Sequence, residues 1–419
     1  MGDILNFLGY LLNHSLVKSS AVVFIGSMLA NVGAYLYHLI LGRILGPVYY
    51  GELAALLSLL NILNVPSSVL QTVLVKYFST LKAGNKVGQV RSLFSLATSK
   101  ILVGEIIIFL IVFPLFPYLI RFLKIERVGY LVWLYLIFAS FLLGTINGSL
   151  LQAFQFFKLS TILVNLGMVL RLVLGVIFAF YGVGWVLVSN IFSNLLAYGF
   201  SFWPIRFLFK VKPSKITLSR RHVASYSIPT FLTTLGITAL YSQDVVLVKH
   251  FFSAETAGIY SSLSILGRVI FFATTAVSFV VFPVISQYQA QRRSYFRLAL
   301  FSLGAVALIS FGITALYFLF PALFVNLLFG RLFVGAIPYM GWFGLFISFF
   351  SLSSLLTTIC LAAGKTLVWF FVIIAALGQM VLISFYHDSL LAVTINNLVV
   401  ASSLFFLLLV YFAYAKRQA

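Results

Sequence analysis

Five charged side chains fall within otherwise apolar segments of the sequence. Three are basic, Lys100, Arg171 and Arg268, and two are acidic, Glu105 and Asp244. A charge in such a segment is costly and usually faces a protein interior or a water-filled path. Because a guanidinium offers forked donors that suit phosphate, the basic residues predict a site for an anionic headgroup. Either carboxylate could carry a coupling H+ or Na+.

The same five charges also fit a purely structural interpretation. Asp244 could pair with Arg268, and Glu105 with Arg171 or Lys100, as buried ion pairs that bind nothing. An unpaired charge in hydrocarbon would cost more than a paired one, so this pairing is physically reasonable. The sequence leaves the two interpretations open.

Polar residues form two stripes, each on one face of a predicted helix. The first stripe contains Ser20, Ser27, Asn31, Tyr35 and His38, and the second contains Thr230, Thr234, Thr238, Tyr241 and Asp244. Spacings of three, four and seven residues place each set on a single helical face. Such a face fits the wall of a wet cavity, although hydroxyls and amides also hold membrane helices together. The candidate substrate-binding residues are therefore Arg171, Arg268, Lys100, Asn31, Thr234, Thr238 and Tyr241.

The composition excludes a water-soluble protein. Of the 419 residues, 62% are hydrophobic and only 8% are charged, whereas a soluble domain is about 25% charged. The excess of 27 Lys+Arg over 7 Asp+Glu then indicates cytoplasmic loops and membrane lipids as neighbours rather than nucleic acid. The one cysteine excludes an internal disulfide, and the histidines show no metal-ligand spacing. We therefore predict neither a metal nor a cofactor.

Twelve apolar segments are long enough to cross a bilayer core of about 30 Å. They lie near 18–42, 50–76, 92–118, 128–150, 159–181, 183–208, 223–250, 256–285, 296–320, 333–359, 366–386 and 390–414. Lys and Arg are concentrated in alternate loops, which predicts a multi-pass cell-membrane protein with both termini in the cytoplasm. The loops are too short for a soluble catalytic domain, so we predict a protein that is not an enzyme.

The two halves of the chain resemble each other at a shift of 207 residues. This shift places Gly51 on Gly258 and Asn190 on Asn397, without gaps. Six spans in each copy would return both copies to the same orientation, so these are parallel repeats. None of the charges inside the spans meets a charge at this shift, which predicts an asymmetric site in a symmetric frame.

The repeat predicts three parts of an all-α integral membrane protein. These are an N-terminal six-helix bundle (1–208), a basic cytoplasmic linker (209–222) and a C-terminal six-helix bundle (223–419). In transporters built from parallel repeats, the substrate path lies between the repeats, and rocking of the two bundles gives alternating access.

Three segments resemble a known family. LGRILGPVYYGELAALLSLL (41–60), DVVLVKHFFSAETAGIYSSLSIL (244–266) and PALFVNLLFGRLFVGAIPYM (321–340) are similar to polysaccharide-biosynthesis exporters, the Wzx-type flippases of O-antigen and other lipid-linked oligosaccharides in the MOP superfamily. The resemblance implies a V-shaped pair of six-helix bundles with a cationic central cavity. It implies transport of polyprenyl-(pyro)phosphate-linked sugars from the cytoplasmic to the outer leaflet, and glycosyltransferases or a glycan polymerase as partners.

By position, Arg171 and Arg268 would serve the cavity of such a flippase, and Asp244 the coupling ion. Two other functions are weighed against it. A MATE-like antiporter of cationic drugs shares the superfamily, but the excess of basic residues favours an anionic cargo. A membrane glycosyltransferase or O-antigen polymerase would need acidic catalytic residues on a large outer loop, and the outer loops offer only Glu126, Glu255 and Asp388.

Overall fold

Helices form every regular element in the part of the chain that the structure describes. This structure is a computed structural model, and it describes residues 15–125, 127–215 and 224–417. A bilayer offers the backbone no hydrogen-bonding water, so apolar spans satisfy their polar groups internally as helices. The α-helices are α1 (Ser15–Leu63), α2 (Val65–Ala83), α3 (Val87–Val112), α4 (Phe116–Leu123), α5 (Gly129–Ala153), α6 (Phe157–Ala179), α7 (Val183–Ile205), α8 (Ala224–Leu240), α9 (Gln243–Phe251), α10 (Ala254–Ala290), α11 (Phe296–Leu319), α12 (Pro321–Leu328), α13 (Met340–Ala362), α14 (Val368–Phe385) and α15 (Leu390–Arg417).

The helices account for the predicted membrane spans. Ten helical stretches among the described residues are long and apolar enough to cross a membrane, and a pair bent by 43°, Ile228–Leu240 with Gln243–Phe251, makes eleven. One stretch, Val22–Ala83, has 62 residues and would be about 90 Å long, three times the thickness of a bilayer core. It must therefore contain two spans, which agrees with the twelve that the sequence predicts.

The long stretch is divided at Gly46. This residue has φ 68°, outside helical geometry, and Pro47 follows it. Glycine adopts positive φ without steric cost, and proline has no N–H for a helical hydrogen bond, so the pair separates two helical arms. At the 207-residue shift Gly46 matches Ser253, the N-cap of α10. The repeat therefore extends to the place where the first span of each copy ends.

The chain packs into two compact units. The first contains α1 up to His38, Pro66–Ile120 and residues 127–215, and α7 packs along both α5 and α6. The second contains Leu39–Val65, Arg121–Ile125 and residues 224–417, with α13 at the centre of its core. The predicted bundle boundaries at 208 and 223 stay a prediction, and most of the linker, 216–222, lies outside the described residues.

Equivalent side chains make equivalent contacts in the two units. In the first, the Asn190 amide donates to the Tyr37 hydroxyl at 2.9 Å. In the second, the Asn397 amide lies 3.4 Å from Asp244 Oδ2. Tyr37 and Asp244 are 207 residues apart, as are Asn190 and Asn397. These contacts support the alignment of the two copies.

Gly51 and Gly258, which the repeat aligns, contact each other inside the second unit. A Cβ on Gly51 would lie 2.6 Å from the Gly258 nitrogen, and a Cβ on Gly258 would lie 1.8 Å from the Pro47 carbonyl oxygen. Such distances are too short for any side chain. Glycine at both positions therefore allows the backbones of the two repeats to pack directly against each other.

Each copy of the repeat also hydrogen-bonds to the C-terminal end of a short helix that belongs to the other copy. Arg43 donates from Nε to the Leu328 carbonyl at 3.0 Å and from Nη2 to the Leu327 carbonyl, at the C-terminal end of α12. His250 Nδ1 lies 2.7 Å from the Phe122 carbonyl, at the C-terminal end of α4. Arg43 and His250 are 207 residues apart, so these are reciprocal contacts. They provide partners for carbonyls that a helix end leaves unpaired.

The glycine contact generates the first prediction. Gly258→Ala should lower the melting temperature of the purified protein, because the new methyl group would overlap Pro47 and overpacking costs about 1–3 kcal/mol or more. Gly312→Ala is the matched control, since a Cβ there meets no atom within 4 Å. Melting is followed by the loss of the monodisperse peak on size exclusion in detergent. Equal melting temperatures for the two variants would contradict the contact.

Candidate functional site

Arg171 lies on an aromatic platform in the first unit. Its Cζ is 4.4 Å from the centre of the Tyr37 ring, and its Nε is buried without a hydrogen-bond partner among the described residues. Two neighbours fix the ring: Asn190 binds its hydroxyl, and Gly175 lets it pack closely, since a Cβ there would be 2.5 Å from Tyr37 Cε2. The stacking holds the guanidinium by its flat face and leaves its donor edge available.

Arg171 lines a cavity within the first unit whose walls are mostly apolar, with a few polar groups among them. The cavity has a volume of about 460 Å³ and is bounded by α1, α2, α5, α6 and α7. This volume falls in the range of ligand pockets, about 300–1,000 Å³. Its polar lining includes Gln71, Ser140, Gln152, Ser160, Arg171 and Asn194. Ser160 and Arg171 are eleven residues apart on α6, so the cavity extends about 16 Å along that helix.

Arg268 on α10 has a similar setting in the second unit. Its Cζ lies 5.6 Å from the centre of the Tyr241 ring, and its Nε is also buried without a partner among the described residues. Tyr241 belongs to the break between α8 and α9. Arg268 acts electrostatically on Asp244, which is only 1% exposed. Arg268, Tyr241 and Asp244 thus lie in one region of the second unit, and their role in binding stays a prediction.

Asp244 begins a buried hydrogen-bond network. The Tyr260 hydroxyl donates to Asp244 Oδ2 at 2.7 Å, and the Asn397 amide donates to the same hydroxyl oxygen at 2.7 Å. The Gln379 amide in turn donates to Asn397 Oδ1 at 2.8 Å. Gln379 also accepts from the Gln243 amide at 2.6 Å. The network fixes the position of the carboxylate relative to three helices.

The network surrounds a broken helix. Gln379 donates to the Leu240 carbonyl at 3.0 Å, a group that loses its helical partner at the break. The adjacent Ser242 hydroxyl is buried without a partner in the described structure. In membrane transporters, half-helix ends of this kind coordinate ions and substrates. A carboxylate, a hydroxyl and amide oxygens are suitable ligands for a hard cation.

Glu105 occupies a second buried acidic position, on α3 of the first unit. Its side chain is 7% exposed, and its Oε1 is buried without a partner in the described part of the chain. It acts electrostatically on Tyr135 and Tyr198, and the Tyr135 hydroxyl donates to the Glu105 backbone carbonyl. Tyr198 lines the cavity that contains Arg171.

The remaining predicted residues are arranged differently. Lys100 on α3 and Asn31 on α1 are exposed and do not line the cavity of the first unit. Thr234 is partly buried and its hydroxyl donates to the Thr230 carbonyl of its own helix, while Thr238 is buried. No cluster of three or more His, Cys, Asp or Glu side chains suited to a metal occurs in the described ranges.

Several residues of the site escape the sequence patterns. Gln379 interrupts the apolar run of α14, and this polar residue inside a span is the one signal that could have found it. Gln71, Gln152 and Asn194 come from three helices with no common spacing. Only the packing of those helices brings them to one cavity.

Comparison with solved structures identifies the fold. The chain is similar to a multidrug-resistance MATE-family transporter of the MOP superfamily in an inward-facing conformation, with TM-score 0.73, 13% identity, and 96% of this chain and 99% of that chain covered. It is also similar to the lipid II flippase MurJ in an inward closed conformation, with TM-score 0.72, 14% identity, and 92% and 87% covered. At these identities the likeness shows the fold alone, and it confirms the predicted MOP-type transporter fold.

Sequence comparison identifies the family. No curated protein matches the chain. A family described as polysaccharide biosynthesis protein matches residues 40–338, which is more than half of the 419 residues. The match includes most of the segments that suggested this family, together with Arg171, Asp244 and Arg268. The chain belongs to the polysaccharide biosynthesis protein family, and it has the fold of MOP-superfamily transporters.

Proposed function

We propose that this protein is a flippase for polyprenyl-(pyro)phosphate-linked oligosaccharides. It moves them from the cytoplasmic to the outer leaflet by alternating access and makes or breaks no covalent bond. The observation that carries the proposal is the pair of half-buried arginines, Arg171 and Arg268, one in each unit. Each lies over a tyrosine ring with its Nε unpartnered among the described residues. Membership of the polysaccharide biosynthesis family supports it.

A phosphorylated headgroup is the cargo that this arrangement favours. A phosphate loses its hydration on entering a membrane protein, and guanidinium donors replace that hydration with charge-assisted hydrogen bonds. The polyprenyl tail needs no such path, because it remains in the lipid. A cationic drug would instead be repelled by both arginines, so the MATE-like fold does not make the protein a drug antiporter.

We further propose that both termini lie in the cytoplasm, because this orientation puts most Lys and Arg residues inside. Gln152 and Ser160, near the α5–α6 turn, then mark the cytoplasmic end of the first unit's cavity. Arg171 lies near the middle of its span. An anion entering from the cytoplasm would therefore meet amides first and the guanidinium at membrane depth.

Labelling of single cysteines tests this topology. With Cys360 changed to Ala, Asp388→Cys should react with a membrane-impermeant maleimide in intact cells. Lys86→Cys should react only after permeabilisation, because both positions are exposed but belong to loops on opposite sides. The wild-type chain is the control, since its one cysteine is buried. The reverse pattern would place the termini outside.

A translocation assay tests the role of the arginines. In proteoliposomes, Arg171→Ala and Arg268→Ala should each slow flipping of a fluorescent polyprenyl-pyrophosphoryl sugar about tenfold or more, the loss expected when a charged hydrogen bond of about 1.5–3 kcal/mol is removed. Arg293→Ala, at an exposed loop position, should flip at the wild-type rate. Full flipping activity in the double variant Arg171→Ala/Arg268→Ala would contradict the role assigned to the two arginines. Transport of a cationic dye without flipping of the lipid would identify an antiporter instead.

Ion coupling is proposed at Asp244, with Glu105 as a second carboxylate. If Asp244 carries H+ or Na+, Asp244→Asn should abolish the response of the flipping rate to an imposed ion gradient, because the amide cannot bind and release a proton or balance a cation. Glu105→Gln tests whether the carboxylate of the first unit also contributes to ion coupling. The rate is measured with each gradient imposed and then collapsed. Persistence of the full gradient response in both variants would remove the carboxylates from coupling.

A further inference from the structure

The cavity of the first unit contains amide side chains that have no hydrogen-bond partner among the described residues. Neither Gln71 on α2 nor Gln152 on α5 uses its side-chain amide in a hydrogen bond with another described residue, although both line the cavity. Each amide offers one acceptor oxygen and two donor hydrogens. Both amides are open to the cavity, so an occupant that supplies donors as well as acceptors would satisfy them.

One wall of the cavity is widened by glycines. Gly144 and Gly148 lie four residues apart on α5, on the face that also presents Gln152. A Cβ at either glycine would meet no atom within 4 Å. Side chains could be accommodated there without a clash, so these glycines are not required for helix packing. Their effect is to leave open volume beside the amides.

Although most of the lining is apolar, its polar groups favour one chemical class of occupant. An acyl chain would leave Gln71, Gln152 and Arg171 without hydrogen bonds. An inorganic anion would satisfy Arg171 and the amide N–H groups but would leave the amide oxygens without donors. A ligand rich in hydroxyls satisfies amide donors and acceptors together, and a phosphate attached to it satisfies the guanidinium. A phosphorylated sugar combines these groups.

We propose that this cavity is a saccharide-binding site within the first unit. Gln71 and Gln152 hydrogen-bond sugar hydroxyls beside the open face of Gly144 and Gly148, and Arg171, at the deep end, binds the adjoining phosphate. This inference rests on the proposed function. It adds that different residues recognise the sugar and the phosphate of the headgroup. The glycan is recognised by α2 and α5, and the phosphate by the guanidinium held on Tyr37.

A comparison of two lipids in equilibrium binding tests the proposal. The probes are fluorescent polyprenyl-pyrophosphoryl N-acetylglucosamine and the same polyprenyl pyrophosphate without sugar, bound to purified protein in detergent. Gly148→Leu, which fills the open volume, should weaken the sugar-bearing lipid about tenfold and leave the bare lipid unchanged, since only sugar contacts worth about 1.4 kcal/mol are lost. Gln152→Met, which keeps the side-chain length but removes the amide, should act in the same way.

Two controls make the outcomes distinct. Gly104→Leu on α3 is the matched substitution, because a Cβ there also meets no atom within 4 Å but the residue is outside the cavity; it should bind both lipids as the wild type does. Arg171→Ala should weaken both lipids. Equal effects of Gly148→Leu on the two lipids, or no effect on either, would overturn the saccharide site. If the wild-type protein binds neither lipid, the proposed flippase function itself is overturned, and the saccharide site with it.

Discussion

The contact between a guanidinium and a tyrosine ring organises the functional part of this protein. A charged side chain within a membrane bundle must be held in place without losing its ability to bind a ligand. Stacking on Tyr37 achieves this for Arg171, because the flat face of the guanidinium is used and Nε is left without a partner among the described residues. The ring itself is positioned by Asn190 and by the missing side chain of Gly175. The cavity chemistry depends on this support.

The two copies of the repeat use one pair of positions for different purposes. In the first copy, Asn190 binds Tyr37, whose ring serves as a platform for Arg171. In the second copy, the equivalent Asn397 approaches Asp244, which is a carboxylate in a network with Tyr260. The two copies thus share a frame, but only the second places a carboxylate at this position.

The sequence predicts those features that depend on composition and spacing. The spans follow from apolar length, and the repeat follows from matches such as Gly51 with Gly258, which the structure brings into contact. The exposure of Lys100 and the convergence of Gln71 and Gln152 could not be predicted, because both depend on how helices rotate and pack. A polar stripe shows which residues share one face of a helix, but it does not show which helix packs against that face.

The reciprocal contacts of Arg43 with α12 and His250 with α4 connect the two halves of the chain. Each copy completes a helix end that belongs to the other, and Gly51 and Gly258 touch across the same junction. In a symmetric pair, matching residues meet in this self-complementary way. The carbonyls at the end of each short helix therefore find their partner in the other half of the sequence, and neither half alone contains the group that completes its own short helix.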